Sequence, residues 1–307
     1  MEKGKIIGVK QRERRNIIHG FLFASPWIIG FLVFSLYPII MSFYYSLTDY
    51  NLFSSPNWVG LENYKELFQD TKFYLSLYNT LYITIFGLIP HLAFALLMAL
   101  ILNMNVKGQS LYRTIYFLPT LVPAVAGSLL WLWLFNAQYG LINELLGYVG
   151  LVQPSWLMDP KWTKTAIIIM GFWGTGTTTV MYLAALQDVP KIYYEAADMD
   201  GANFFQKFRH ITLPAISPVT LFHVIMGLIG SFQFFTQGLI FAEASQSVGG
   251  PENSMLFYAI YLYQVAFSFL KMGYASAMAW VLFIIVLVLT IIVFKTSAKW
   301  VYYGGEK

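Results

Sequence analysis

Cysteine is absent from the 307 residues, which removes disulfide scaffolds, thiolate metal sites and a cysteine nucleophile. Charge is scarce too. Asp, Glu, Lys and Arg make up 11% of the chain against 58% hydrophobic residues, too little polar surface to coat a water-soluble globule. The small excess of base, 19 Lys and Arg against 15 Asp and Glu, is spread along this apolar chain, so it argues for membrane topology and against a nucleic-acid partner. No Gly-x-x-x-x-Gly-Lys-Ser/Thr loop occurs, so the chain has no phosphate loop of its own for a nucleotide. Of four histidines only His91 and His223 fall in apolar stretches, and no carboxylate shares those stretches, which speaks against a hydrolytic triad.

What the chain does have is long runs without charge. A helix needs about 20 mostly apolar residues to cross the hydrocarbon core of a bilayer. Six runs qualify, at residues 20–47, 74–104, 114–137, 165–187, 212–241 and 273–294. Backbone inside a bilayer must satisfy its own hydrogen bonds, which makes these runs helices. A seventh uncharged stretch, Asn253 to Leu270, is parted from the sixth run only by Lys271, Met272 and Gly273, and reads as an interfacial helix carrying Tyr258, Tyr261 and Tyr263. Leu145 to Trp156 is too short to cross and reads as a loop with one surface helix. Asn79 reads as interfacial, and His91, after Pro90, as a structural histidine with a hydrogen-bond partner.

Orientation follows from the basic residues. With six crossings and the N-terminus inside, 14 of the 19 Lys and Arg fall on cytoplasmic segments and 5 on outer ones. The positive-inside rule then puts both termini in the cytoplasm.

The connection from Asp188 to Pro214 breaks the apolar pattern. Asp188 reads as a cap for a helix whose first turn accepts Pro190, and Gly201 supplies the permissive backbone that ends it. A second helix follows, with Phe204, Phe208 and Ile211 on one face and Gln206, Lys207 and Arg209 on the other, before Pro214 and Pro218 lead into the fifth run. Small Ala196, Ala197 and Ala202 let another backbone approach closely, while Glu195, Asp198 and Asp200 offer carboxylates to a partner's arginines. Periodicity alone allows two readings, a docking knob and an amphipathic loop lying on the membrane surface.

The motif Glu195-Ala196-Ala197-x-x-Asp200-Gly201-Ala202, followed by Phe208, Ile211, Leu213, Pro214 and Pro218, resembles the EAA loop of permease subunits of bacterial ABC importers. Pro119, Pro123 and the segment from Trp58 to Tyr64 look like the carbohydrate-uptake branch of that family, on the side of the maltose and glycerol-phosphate permeases. The resemblance implies an all-α membrane protein with the six-helix fold of type I importer permeases, placed in the bacterial cell membrane. It implies a cytoplasmic basic segment over residues 1–19, a permease domain over 20–297 with its coupling loop at 188–214, and a cytoplasmic tail over 298–307. The loop would sit in a cleft of a cytoplasmic ATPase. There Glu195 would meet basic groups, Gly201 would form the turn and the three alanines would pack, with Asp198, Asp200, Phe208, Leu213 and Pro214 completing the coupling surface. ATP and Mg would be held by the ATPase dimer and no cofactor by this chain. The further partners implied are a second permease, similar but different, and an extracytoplasmic solute-binding protein that delivers a sugar, an oligosaccharide, to the outer segments from Trp58 to Tyr64 and from Trp156 to Lys164.

In such a family the solute crosses near the bilayer midplane, between the spans that flank the loop. The candidates are then Gly174 and Thr177 in the fourth run and Gly227, Gly230, Ser231, Gln233, Phe234 and Gln237 in the fifth. For each, helix packing is an equally good reading. An ion-coupled sugar carrier is the rival from another class, but such carriers place charged residues inside spans and none is found here. Glycerol phosphate or a polyol is the rival substrate, although an anion would favour arginine along the path.

Overall fold

The computed structural model describes the backbone from Glu2 to Tyr303 and side chains from Arg14 onward. Lys3, Lys5, Lys10, Arg12 and the end of the tail, with Lys307, contribute to the orientation argument but have side chains outside the described residues. Among the described residues the chain is helical with no β-strand, apart from one isolated antiparallel bridge between Thr48 and Trp58. Four unbroken helices are long and apolar enough to cross a membrane: Arg14–Ser46, Thr71–Leu102, Phe204–Phe232 and Met272–Ser297. Two bent pairs complete six spans if each crosses as one: Gln109–Leu121 with Ala124–Leu134, and Pro160–Trp173 with Gly176–Gln187.

The third and fourth runs were expected as continuous helices, and both are broken. The third bends by 98°. Val122 and Pro123 adopt extended ψ angles of 124° and 141°, as the residue before a proline prefers, and helix restarts at Ala124. The fourth bends by 49° at Gly174 and Thr175, which lie between its two helices. The fifth run also ends earlier than its apolar composition suggested. Helix stops at Phe232, and a separate helix starts at Thr236 and runs to Ala244.

The chain divides into two compact units. One comprises residues 1–67 and 270–280. Its long helix begins at Glu2, so the basic segment and the first apolar run are one helical stretch, interrupted only by a π-helical turn at Leu32–Leu36. Here Asn63 donates to the carbonyls of Ser46 and Thr48 at 2.9 and 2.8 Å, and the Gly273 amide donates to the Tyr50 carbonyl at 2.9 Å. A Cβ on Gly273 would lie 2.0 Å from the Thr48 carbonyl oxygen, so glycine is needed for that approach.

The other unit, residues 68–269 and 281–307, carries the second to fifth spans and the sixth from Val281 onward. Its core joins the second, fourth and fifth spans through Ala95, Ala99 and Leu102, Tyr182, Leu183 and Leu186, and Ile216. Small Ala95 and Ala99 are fully buried and admit the bulk of Tyr182, the size pairing by which helices approach closely in a membrane.

Two interfacial expectations are corrected in this unit. Asn79 is 1% exposed, and its amide donates to the carbonyls of Asn253 and Leu256 at 2.9 and 3.1 Å. The uncharged stretch after Asn253 forms helix at Tyr258–Tyr263 and a π-helical turn at Gln264–Ser268, but Phe257, Tyr258 and Ile260 are at most 1% exposed. Phe257, Tyr258 and Tyr261 therefore pack inside the protein, while Tyr263, Phe267 and Phe269 further along stay exposed. Thr80 Oγ1 accepts from the Tyr258 amide at 2.9 Å, so the second span holds this segment by side-chain hydrogen bonds. The expected surface helix near Leu145 is present as Leu141–Tyr148.

Candidate functional site

Two features occupy the second unit, a projecting hairpin and a cavity, and the same two spans reach both. The hairpin begins at Lys191. Asp188 is not its cap: it ends the preceding helix at Gln187, and Pro190 stands at the N-cap position with extended backbone and no side-chain cap. The reason is one of spacing, since the Asp-Ser/Thr-type cap must lie directly before the first turn and Pro190 holds that place. The first helix, Lys191–Met199, ends in a Schellman motif. The Ala202 amide donates to the Ala197 carbonyl at 2.9 Å and the Gly201 amide to the Asp198 carbonyl at 3.1 Å, with Gly201 at φ +73°. A capping box starts the second helix. Asn203 Oδ1 accepts from the Gln206 amide and Gln206 Oε1 from the Asn203 amide. Lys207 and Asp198 pair at 2.6 Å across the turn, and Tyr194 and Thr212 join their hydroxyls at 3.0 Å.

These contacts fix the hairpin's shape and leave its outer surface open. Glu195, Ala196, Asp198, Asp200 and Gly201 are exposed, Ala197, Ala202 and Phe208 half-buried. No atom lies within 4 Å of a Cβ built on Gly201. Large apolar groups are exposed beside them: Ile192, Tyr193, Met199 at 89%, Phe204 and Phe205. Of the expected apolar stripe, Phe204 is exposed and stacks on Phe208, while Phe208 and Ile211 are half-buried. Leu213 and Pro214 lie at the start of the helix leading into the fifth span.

The cavity, about 540 Å³, is lined by four spans. The fourth gives Gly171, Trp173, Gly174 and Thr177; the fifth gives Gly227, Gly230 and Ser231, with Phe234 and Gln237 just beyond its break. The second contributes Ile83, Gly87, Leu88 and His91, and the third Pro119, Thr120, Gly127, Ser128 and Trp131. Seven of the eight pathway candidates therefore share one cavity. Gln233 does not line it and is exposed at the C-cap of the fifth span.

No charged side chain lines this space. Its side-chain polar groups are hydroxyls, one amide, one imidazole and the indole N–H groups of Trp131 and Trp173. His91 Nδ1 lies 3.2 Å from the Gly171 carbonyl, and the Thr84 and Ser231 hydroxyls meet at 2.8 Å between the second and fifth spans. The helix breaks sit around it: Val122 and Pro123, Gly174 and Thr175, and residues 233–235. Gly176 lets the fourth span resume against the third, because a Cβ there would fall 2.6 Å from Thr120 Cγ2. Thr175 Oγ1 donates to the Phe172 carbonyl, so the Tyr116 hydroxyl 2.5 Å away donates to Thr175.

A family model described as the binding-protein-dependent transport system inner membrane component matches residues 91–301, well over half of the chain. The chain belongs to that family. Among curated relatives of this permease, the probable ABC transporter permease protein YesP of Bacillus subtilis (strain 168) is 42% identical over 297 residues, covering 96% of this chain and 95% of the relative. The arabinooligosaccharides transport system permease protein AraP of the same organism is 35% identical over 289 residues, covering 93% and 90%. A chain from the crystal structure of a bacterial ABC transporter involved in the import of the acidic polysaccharide alginate superposes with a TM-score of 0.77 at 24% identity, covering 94% of this permease and 99% of that chain. The permease fold, the six-span reading and a multi-pass place in the cell membrane follow. As a permease subunit it is not itself an enzyme.

Half of the permease's cavity wall escaped sequence reasoning, which weighted the spans beside the hairpin. Pro119, Pro123 and the Gly171–Gly176 run were visible signals, since prolines and glycines inside apolar runs mark the irregular backbone that membranes tolerate only beside protein or cavities. Trp131 carries no such signal.

Proposed function

We propose that this permease is the membrane-spanning subunit of an ATP-driven importer of a sugar, in particular an oligosaccharide. The reading rests on one structural relation: the hairpin hangs between two helices that both reach the cavity. Phe204 to Gly230 is one continuous helical stretch, and from Phe208 to Gly227, where it first lines the cavity, it spans roughly 30 Å at 1.5 Å per residue. On the other side, Gly176–Gln187 runs from the cavity beside Thr177 to within a few residues of Lys191. A body that grips the hairpin therefore has a lever on two of the four cavity walls.

The gripping body in this reading is a cytoplasmic ATPase dimer that holds ATP and Mg. Its cleft takes the exposed Ala196, the half-buried Ala197 and Ala202, and Gly201, and its basic groups meet Glu195. Closure on ATP moves the hairpin and changes access to the cavity, and hydrolysis restores it. The work is available only if the two ATPase states bind the hairpin with different affinity. A second, similar permease supplies the facing half of the pathway, and an extracytoplasmic binding protein supplies solute, in keeping with the family's binding-protein dependence. Uncharged hydroxyl and aromatic groups around the cavity suit a sugar, which presents hydroxyls around apolar ring faces. AraP, a permease of an arabinooligosaccharides transport system, favours the oligosaccharide class.

Uptake of a labelled oligosaccharide by cells carrying the complete system should stop on ATP depletion and continue in a proton uncoupler while ATP is maintained. Loss of uptake with the uncoupler under maintained ATP would replace this reading with ion coupling.

A further inference from the structure

A second cavity, about 550 Å³, opens where the second span ends. Met98, Ile101, Met104 and Val106 form one side, and Tyr112 and Ile115 of the following helix, Gln109–Phe117, the other. It is almost entirely apolar, and Ile101, Met104, Val106, Tyr112 and Ile115 are all exposed. In a multi-pass membrane protein an open apolar groove at the end of a span faces either lipid or another protein. Its charge decides between them.

Lys107 lines the groove, is exposed and has no hydrogen-bond or ion-pair partner among the described residues. The helix beside it starts at Gln109 with no side-chain cap, so its positive end adds to the ammonium. Arg113 lies a turn further on and donates Nε and Nη2 to the Leu102 carbonyl at 3.3 and 3.2 Å, which keeps a second cation in place. No Asp or Glu occurs between Asp70 and Glu144, so no carboxylate of these two helices or the turn between them offsets these charges. Each cation near a membrane surface attracts anionic lipid, and basic pockets beside spans hold anionic headgroups.

We infer that this groove is a binding site for an anionic glycerophospholipid, one acyl chain lying along Met98, Ile101, Val106 and Ile115 and the phosphate resting on Lys107. The site goes beyond the transport reading and holds whichever solute is carried. It also ties the turn between the second and third spans to the headgroup level, since chain and phosphate bind elements on both sides of that turn.

The test is native mass spectrometry of the full chain in its assembled transporter, equilibrated in micelles with equal amounts of palmitoyl-oleoyl phosphatidylglycerol and phosphatidylcholine. The phosphatidylglycerol adduct should be retained about five-fold over phosphatidylcholine, the preference one cation supplies at a membrane surface. Lys107→Glu should bring the two lipids to parity or reverse the order, Lys107→Arg should keep the preference, and Ile115→Trp, which fills the groove, should lower retention of both. Equal retention of the two lipids by the unaltered protein, or an unchanged preference in Lys107→Glu, overturns the site. So does a partner subunit crosslinking efficiently to a photoreactive residue at position 106, which would show protein in place of lipid.

Discussion

The hairpin from Lys191 to Phe208 and the cavity reached by its flanking spans share two helices, yet they are made in opposite ways. The hairpin is local. Every contact that shapes it, from the Ala202 amide on the Ala197 carbonyl to the Asn203 and Gln206 box, joins residues close in sequence, and at its tip no atom lies within 4 Å of a Cβ built on Gly201. The cavity is collective. Its wall needs residues from Ile83 to Gln237, held apart by helix breaks and joined by contacts such as His91 with Gly171 and Thr84 with Ser231. In the proposed reading, the surface shaped from within serves a partner, and the space shaped by four spans serves what passes through. Substitution should therefore fail differently in the two regions.

The largest effect is expected at Gly201. Its left-handed backbone costs an ordinary residue roughly 1–2 kcal/mol, and Asn or Asp less. With open space around the Cβ, Gly201→Asn and Gly201→Asp should leave the protein folded and in the membrane. Both should nevertheless abolish uptake and lower ATPase recovery in pull-down, because the added atoms point at the partner. Normal transport by either would break the comparison by showing that this face is not gripped.

The cavity gives the next effect. Gly230 lines it and has no atom within 4 Å of a built Cβ, so Gly230→Trp can place an indole in the space without moving the backbone. Uptake should fall at least about ten-fold, a difference of ~1.4 kcal/mol in the free energy of passage, with ATPase binding unchanged. Uptake like that of the unaltered protein would mean the solute passes elsewhere.

Asn79→Ala sharpens the contrast from the stability side. It removes two hydrogen bonds and strands the buried Leu256 carbonyl, while the half-buried Asn253 carbonyl keeps the Leu256 amide at 3.1 Å, and should cost about 1–3 kcal/mol, read as a lower thermal midpoint in detergent. The smallest effect is expected for Asp198→Ala. Asp198 is 59% exposed, so losing its pair with Lys207 should change stability by about 0–1 kcal/mol in the same melt.

How much of this was legible in the sequence follows the same division. The hairpin was readable nearly residue by residue, since Gly201 and the Asp198 to Ala202 turn need no distant partner to explain them. The exception was Asp188, where a favourable cap residue gave way to the helix running into it from the fourth span. Hydropathy placed the spans but not their breaks, because Gly174 and Pro123 are as apolar as the helix they interrupt. Asn79 and the Tyr258 segment were misplaced for a related cause: composition suits both an interface and a buried contact, and only the fold shows that Asn253 and Leu256 come within reach. Trp131 and Ser128 needed four spans assembled before they could be seen to face one space.

The decisive measurement is oligosaccharide accumulation in sealed vesicles, comparing this chain alone with the chain joined by its second permease, ATPase and binding protein. Accumulation should require every component together with ATP, and should vanish in the full assembly when Gly201 is replaced by Asp. Accumulation by the chain alone, without a nucleotide-hydrolysing subunit, would contradict the account.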